Sequence, residues 1–365
     1  MEILENIIHP QSLQRIELLS YLATISYMIL LPYLGLLLSS TLLSCMFNGK
    51  GKTYKNAHYI KLSKDLITIP TFNLYASLAL VLFPLFSLMF FYAQIVQASS
   101  QLVFDNLFYI VFLIVPALLL IYVYRDSFEL SEIAKLVNKN DEDNSAKSKE
   151  FNVYNFKSIK LLTNSSRFAF YLLFVSSYIL IAAITLINDS SRWATSNSIS
   201  SMLFNEATLI SFLYFLSTSF ALTSVLALYL YFKPNSNNDE SNIKYQNMIK
   251  KFFQNTAMIF LLVQPILYTV DLMSIPKVAL SNSLFGITIL VMIDLLLIVT
   301  LLYQMMKNNH LKYRGVILFL FIGLFALLSI KLQIAFDTSA QLQVKEIISV
   351  YDAKMVITTE QLGVK

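Results

Sequence analysis

Apolar residues run along this chain in long unbroken stretches, not in alternation with polar ones. Read between bounding charges, the stretches fall within 18–46, 66–98, 106–124, 168–188, 207–232, 252–271, 284–306 and 315–336. Each is near the ~20 helical residues that cross a ~30 Å hydrocarbon core. Continuous runs predict helices, whereas barrel strands alternate, and lipid requires backbone groups to be satisfied within the structure. The pattern predicts an all-α integral membrane protein, a bundle of about eight transmembrane helices over residues 18–336.

Polar segments divide the rest. Residues 1–17 open with Glu2 and Glu5, unlike a signal peptide, and Ile3, Leu4, Ile7 and Ile8 repeat at helical spacing. They predict an interfacial N-terminal segment. The 125–167 loop is expected to begin with an amphipathic surface helix through Phe128, Leu130, Ile133, Leu136 and Val137. Its polar stretch, Asn138 to Glu150, is expected to be disordered. A second polar linker covers Pro234 to Asn242. Residues 337–365 place Val344, Ile347, Ile348, Tyr351 and Met355 on one face, predicting an amphipathic C-terminal helix or an extension of the last span. No internal repeat of fixed period appears.

Composition agrees with a membrane protein: 56% of residues are hydrophobic and 13% charged, against about 25% charged in soluble domains. Charge sets the expected orientation. Of the 27 Lys and Arg residues, 20 lie in the loops after spans 1, 3, 5 and 7, and 7 on the opposite side. The positive-inside rule puts the 20 in the cytoplasm and both termini outside, in a bacterial cytoplasmic (inner) membrane. A net charge of +5 distributed this way points to lipid headgroups, not nucleic acid.

The string GKGKT at Gly49–Thr53 resembles the end of a phosphate-binding loop, but the first glycine of that motif would fall at Met46. The motif must also follow a strand, and an apolar helix precedes it here. Its lysines therefore read as a cytoplasmic anchor. Cys45 is the single cysteine and cannot form an internal disulfide. His9, His58 and His310 all lie outside the spans, so no span offers a histidine to a haem or metal. No C-x-x-C-H, nucleophile elbow or catalytic carboxylate pair is present, which argues against an intrinsic catalytic site.

Asp294 is the exception, standing near the middle of the seventh span. An ionisable group there is costly and marks a functional candidate. The alternative is a hydrogen-bonded carboxyl joining helices, with Tyr, Ser or Gln264 as partner. Asp271 is expected at the outer end of the sixth span, within reach of water. Pro32, Pro84, Pro116 and Pro265 interrupt four spans without the matched pairing that substrate-unwound transporter helices show.

Two stretches carry a resemblance. Tyr27-Met-Ile-Leu-Leu-Pro32 leads through the basic segment GKTYKNAHYIKLSKDL into the second span, and LFNEATLISFLYFLSTSF covers Leu203–Phe220. Together they resemble subunit I of the cytochrome bd quinol oxidases. That family has a haem-ligating His five residues before the Pro, and a second His ending an N-P-x-x-x-x-x-F-x-H segment. Here Tyr27 and Tyr214 occupy those positions. The resemblance implies a haem-free membrane subunit that anchors a respiratory electron-transfer complex. It would contact lipid or quinone, with haem confined to partner subunits such as extracytoplasmic c-type cytochromes. The rival expectations are a transporter or lipid-linked glycan permease built around Asp294, and a structural subunit of another envelope assembly.

Overall fold

The computed structural model describes residues 13–95, 101–140, 145–189, 192, 199–231, 240–308 and 313–361. Ten α-helices account for nearly all of these, and no strand occurs among the described residues. They are α1 (Leu13–Thr53), α2 (Ala57–Thr68), α3 (Leu74–Ile95), α4 (Gln101–Asn140) and α5 (Ser145–Ile187). After them come α6 (Ile199–Leu203), α7 (Glu206–Tyr231), α8 (Glu240–Ser274), α9 (Asn282–Asn308) and α10 (Arg314–Gln361). All but α2 and α6 are long and apolar enough to cross a membrane. The protein is a multi-pass, all-α membrane bundle. Its many exposed Phe, Leu and Ile side chains, among them Phe83, Phe112, Ile266 and Phe319, form the surface such a bundle turns to lipid.

Helices run past the charge-bounded stretches. α4 has 40 residues and α5 has 43, so each is about 60 Å long at 1.5 Å per residue. The backbone of the expected surface helix is therefore the continuation of α4. Phe128 is buried against Tyr124, with ring centroids 5.0 Å apart. Of the stretch expected to be disordered, 138–140 and 145–150 are helical, and 141–144 lie outside the described residues. The C-terminal segment likewise continues α10 to Gln361, and the side chains of its expected apolar face lie outside the described residues. So do residues 1–12, with most of the expected interfacial segment.

GKGKT closes α1. Lys50 and Lys52 stand in its last turn, where cations favour the carbonyl end of the helix dipole. Lys55 takes a left-handed φ of 48° and the Asn56 N–H donates to Gly51 O at 3.1 Å, a Schellman-type stop. Asn56 then caps α2, its side chain accepting from His58 N at 2.9 Å. Gly51 makes this reversal possible, because a Cβ there would lie 2.6 Å from Ile60 Cγ1. α2 folds back along α1. The Tyr124 hydroxyl of α4 lies 2.9 Å from Ser44 Oγ and 3.1 Å from Ser63 Oγ, tying the three helices together. At Pro70 the chain breaks before α3, so the stretch from 66 to 98 is two helical pieces.

The buried side chains form two main clusters. The larger joins α1, α3, α4 and α5. The second joins α7, α8, α9 and α10. The groups meet where α1 crosses α7. Gly35 allows that approach, since a Cβ on it would come within 3.2 Å of Ser219 Cβ. Beside it Ser39 Oγ lies 3.1 Å from Ser219 O and hydrogen-bonds the Thr223 hydroxyl.

Candidate functional site

One end of the bundle is built from the turn between α8 and α9 and from described residues between α5 and α7, among them Asn188, Asp189, Arg192 and Asn205. A cavity of about 130 Å³ opens there, reaching inward between α1, α5, α7, α8 and α10. Ile181, Ile184, Phe215, Phe325 and Leu328 give it apolar walls. At its mouth Arg192 donates from Nη2 to Ser201 O at 2.8 Å, and Asp189 stands nearby in the lining.

An ion pair lies in the cavity wall. Lys331 Nζ of α10 donates to Asp271 Oδ2 of α8 at 2.5 Å. Ser211 Oγ of α7 donates to the other carboxylate oxygen, also at 2.5 Å. Lys331 lies 4.5 Å from the Tyr268 ring centroid, so the aromatic face supplies a second attraction for the ammonium. Asp271 and Lys331 are 9% and 5% exposed. Asp271, expected at the outer end of the sixth span within reach of water, stands three residues before the end of α8 in the lining of the open cavity, where it is largely buried and paired. Its neutralising partner comes from a helix 60 residues further along the chain.

Unpartnered polar groups continue inward from the pair. The rings of Tyr214 and Tyr268 are 5.5 Å apart. Neither hydroxyl has a hydrogen-bond partner among the described residues. Thr218 and Thr288 stand beside them without closing a bond of ordinary geometry. Gln264 is fully buried, and neither its amide nitrogen nor its amide oxygen finds a partner. Asp294 Oδ2 is equally unpartnered. Gln264, one of the partners considered for a helix-joining carboxyl, does not bond Asp294, although both residues stand on faces packed into the second cluster. Gln264 is ten residues before the end of α8 and Asp294 twelve beyond the start of α9. At 1.5 Å per residue both lie about 15–18 Å in from the cavity end of the bundle.

The chain matches no family model and no curated protein sequence. What distinguishes this region is therefore its own chemistry.

The two positions singled out by the oxidase resemblance have different surroundings. Tyr27 is buried in the first cluster, its hydroxyl bonded to that of Tyr92 beside Phe91 and Phe336. Tyr214 lines the cavity in the second cluster. Among the described residues no group of three or more His, Cys, Asp or Glu side chains converges to hold a metal.

Lys331, Ser211 and Tyr268 are the site residues that sequence reasoning did not single out. A signal for Lys331 exists in retrospect: it is the lone charge in Gly315–Phe336, within the last apolar run. Asp271 stands alone in the same way in Phe252–Ile275. Two isolated opposite charges near the same end of two spans that run in the same direction are complementary in depth. Lys331 is one of the seven basic residues counted on the side opposite the basic loops, and that count concealed the relation.

Proposed function

We propose that this protein is a membrane carrier for a small solute bearing both a positive and a negative charge on an apolar body. The observation behind this reading is the Asp271–Lys331 pair in the wall of a cavity instead of a sealed core. A buried ion pair is weak evidence for stability, because desolvation offsets much of the Coulomb attraction. Inside a membrane protein, ionisable groups that face a cavity commonly mark a solute path. Here both charges border open space, so a zwitterion can exchange partners with them. Its anionic group would take the place of Asp271 at Lys331, and its ammonium group would take the place of Lys331 at Asp271 and Ser211. The Ile181, Ile184 and Leu328 side chains suit an apolar body, as concave ligand sites generally do.

In the orientation set by the basic loops, the cavity opens on the extracytoplasmic side of the cytoplasmic membrane. Exchange of the internal ion pair for a solute ion pair keeps the buried charge balanced throughout.

The test uses L-leucine as probe, with acetate and n-butylamine as single-charge controls, on the detergent-purified full chain. Leucine should raise the thermal unfolding midpoint, the controls should raise it less, and Lys331→Gln should abolish the leucine effect. Preloaded proteoliposomes should then show leucine counterflow. Equal responses to the controls would refute the substrate class, and binding without counterflow would refute carriage.

A further inference from the structure

We propose that Asp294 is a proton-binding site of this carrier, deeper in the bundle than the solute site and electrostatically linked to it. The inference rests on the carrier reading for its purpose, although the proton site itself is detectable without any solute. Asp294 is 9% exposed and its Oδ2 has no partner among the described residues. Its neighbours along the helix face, Val291, Leu295 and Ile298, are fully buried in the second cluster. A carboxylate held in such surroundings loses its hydration without recovering hydrogen bonds, and protonation removes that penalty.

The titratable groups nearest this region come from other helices. Tyr214 of α7 and Tyr268 of α8 share the second cluster with the neighbours of Asp294, while Asp271 of α8 and Lys331 of α10 line the cavity toward the end of the bundle. Lys331 is the cation among them, and it is bound to Asp271. Among the described residues no ion pair to Asp294 occurs. Tyr214 stands within electrostatic reach of both Asp271 and Asp294. It connects the two carboxyl positions in space.

This arrangement couples a proton to a solute by simple charge balance. Uptake of one proton converts the Asp294 carboxylate to the neutral acid, and its release restores the negative charge. A negative charge at Asp294 favours retention of the Lys331 ammonium in the bundle. Protonation weakens that hold and eases exchange of the ion pair for solute. Gln264, at similar depth with an unpartnered amide, offers both a donor and an acceptor near the same level.

The measurement is an infrared pH titration of the detergent-purified full chain, following the carbonyl stretch of protonated carboxyls. The wild-type protein should show a protonated-carboxyl band that disappears on alkalinisation. Asp294→Asn should lack it. Asp294→Glu should retain a band at shifted frequency, which separates loss of the carboxyl from misfolding. The double variant Asp271→Asn with Lys331→Gln should also retain the band, with a changed titration midpoint. Persistence of the wild-type band in Asp294→Asn, absence of the band from the wild type, or an unchanged midpoint in the double variant would overturn the proposal. A leucine experiment that fails while the band behaves as expected would refute the solute class and leave the proton site standing.

Discussion

Lys331 Nζ and Asp271 Oδ2 are 2.5 Å apart on the last helix and the sixth of the eight long ones, each side chain almost removed from solvent. Removing one member leaves the other buried without its counter-ion, whereas removing both leaves neutral groups of similar size. Breaking a buried pair costs about 3–5 kcal/mol. Because this pair borders a cavity, Lys331→Gln is expected near the lower end, at about 3 kcal/mol. The double variant with Asp271→Asn should regain most of that loss. Unfolding in detergent, analysed as a double-mutant cycle, checks both numbers; equal destabilisation by the single and double variants would contradict a net attraction.

The α1–α7 crossing depends on the absence of a side chain at residue 35. Gly35→Ala puts a methyl group against Ser219 Oγ and within 3.2 Å of its Cβ. Overpacking of this kind costs about 1–3 kcal/mol. Adding Ser219→Ala removes the nearer obstacle and should restore part of the stability. A double variant no more stable than Gly35→Ala would show that backbone separation, not the hydroxyl, governs the crossing.

Two glycines of GKGKT have different expected responses. Gly49 has nothing within 4 Å of an added Cβ, whereas at Gly51 that atom would meet Ile60. Gly49→Ala should be neutral or stabilising by up to about 1 kcal/mol through helix propensity. Gly51→Ala should destabilise the α1–α2 reversal. Paired melting curves decide this, and similar losses at both positions would argue for a role of the string beyond packing.

Orientation is checked by fusions. With 20 of 27 basic residues on one side, both termini are expected outside the cell. A periplasm-active reporter should be active at the C-terminus and at a loop position near Ser281. A reporter active only in the cytoplasm should work when inserted near Asn238. Reversal of this pattern would also turn the cavity toward the cytoplasm.

Sequence by itself determined the class of the protein, because a lipid solvent acts on local properties. An apolar run long enough to cross the bilayer satisfies its own backbone as a helix whatever its neighbours are. Loop lysines bias orientation in the same local way. For those reasons eight spans and their polarity bias are legible along the chain, as is the anomaly at Asp294. Helix ends were less legible: α1, α4 and α10 continue past the last apolar residue and α5 begins well before the first, since charged residues are also good helix formers. Only the tertiary structure decided which polar groups meet. Asp271 and Lys331 are separated by 60 residues, and each alone resembles a residue at the water boundary. Packing brings Asp271 of α8 and Lys331 of α10, on spans that run in the same direction, to the same cavity, where Ser211 and Tyr268 complete the surroundings. Asp294 was visible as an unusual residue, but the lack of a partner at its Oδ2 depends on which side chains fail to reach that atom. That is a property of packing in three dimensions, and no window of sequence contains it.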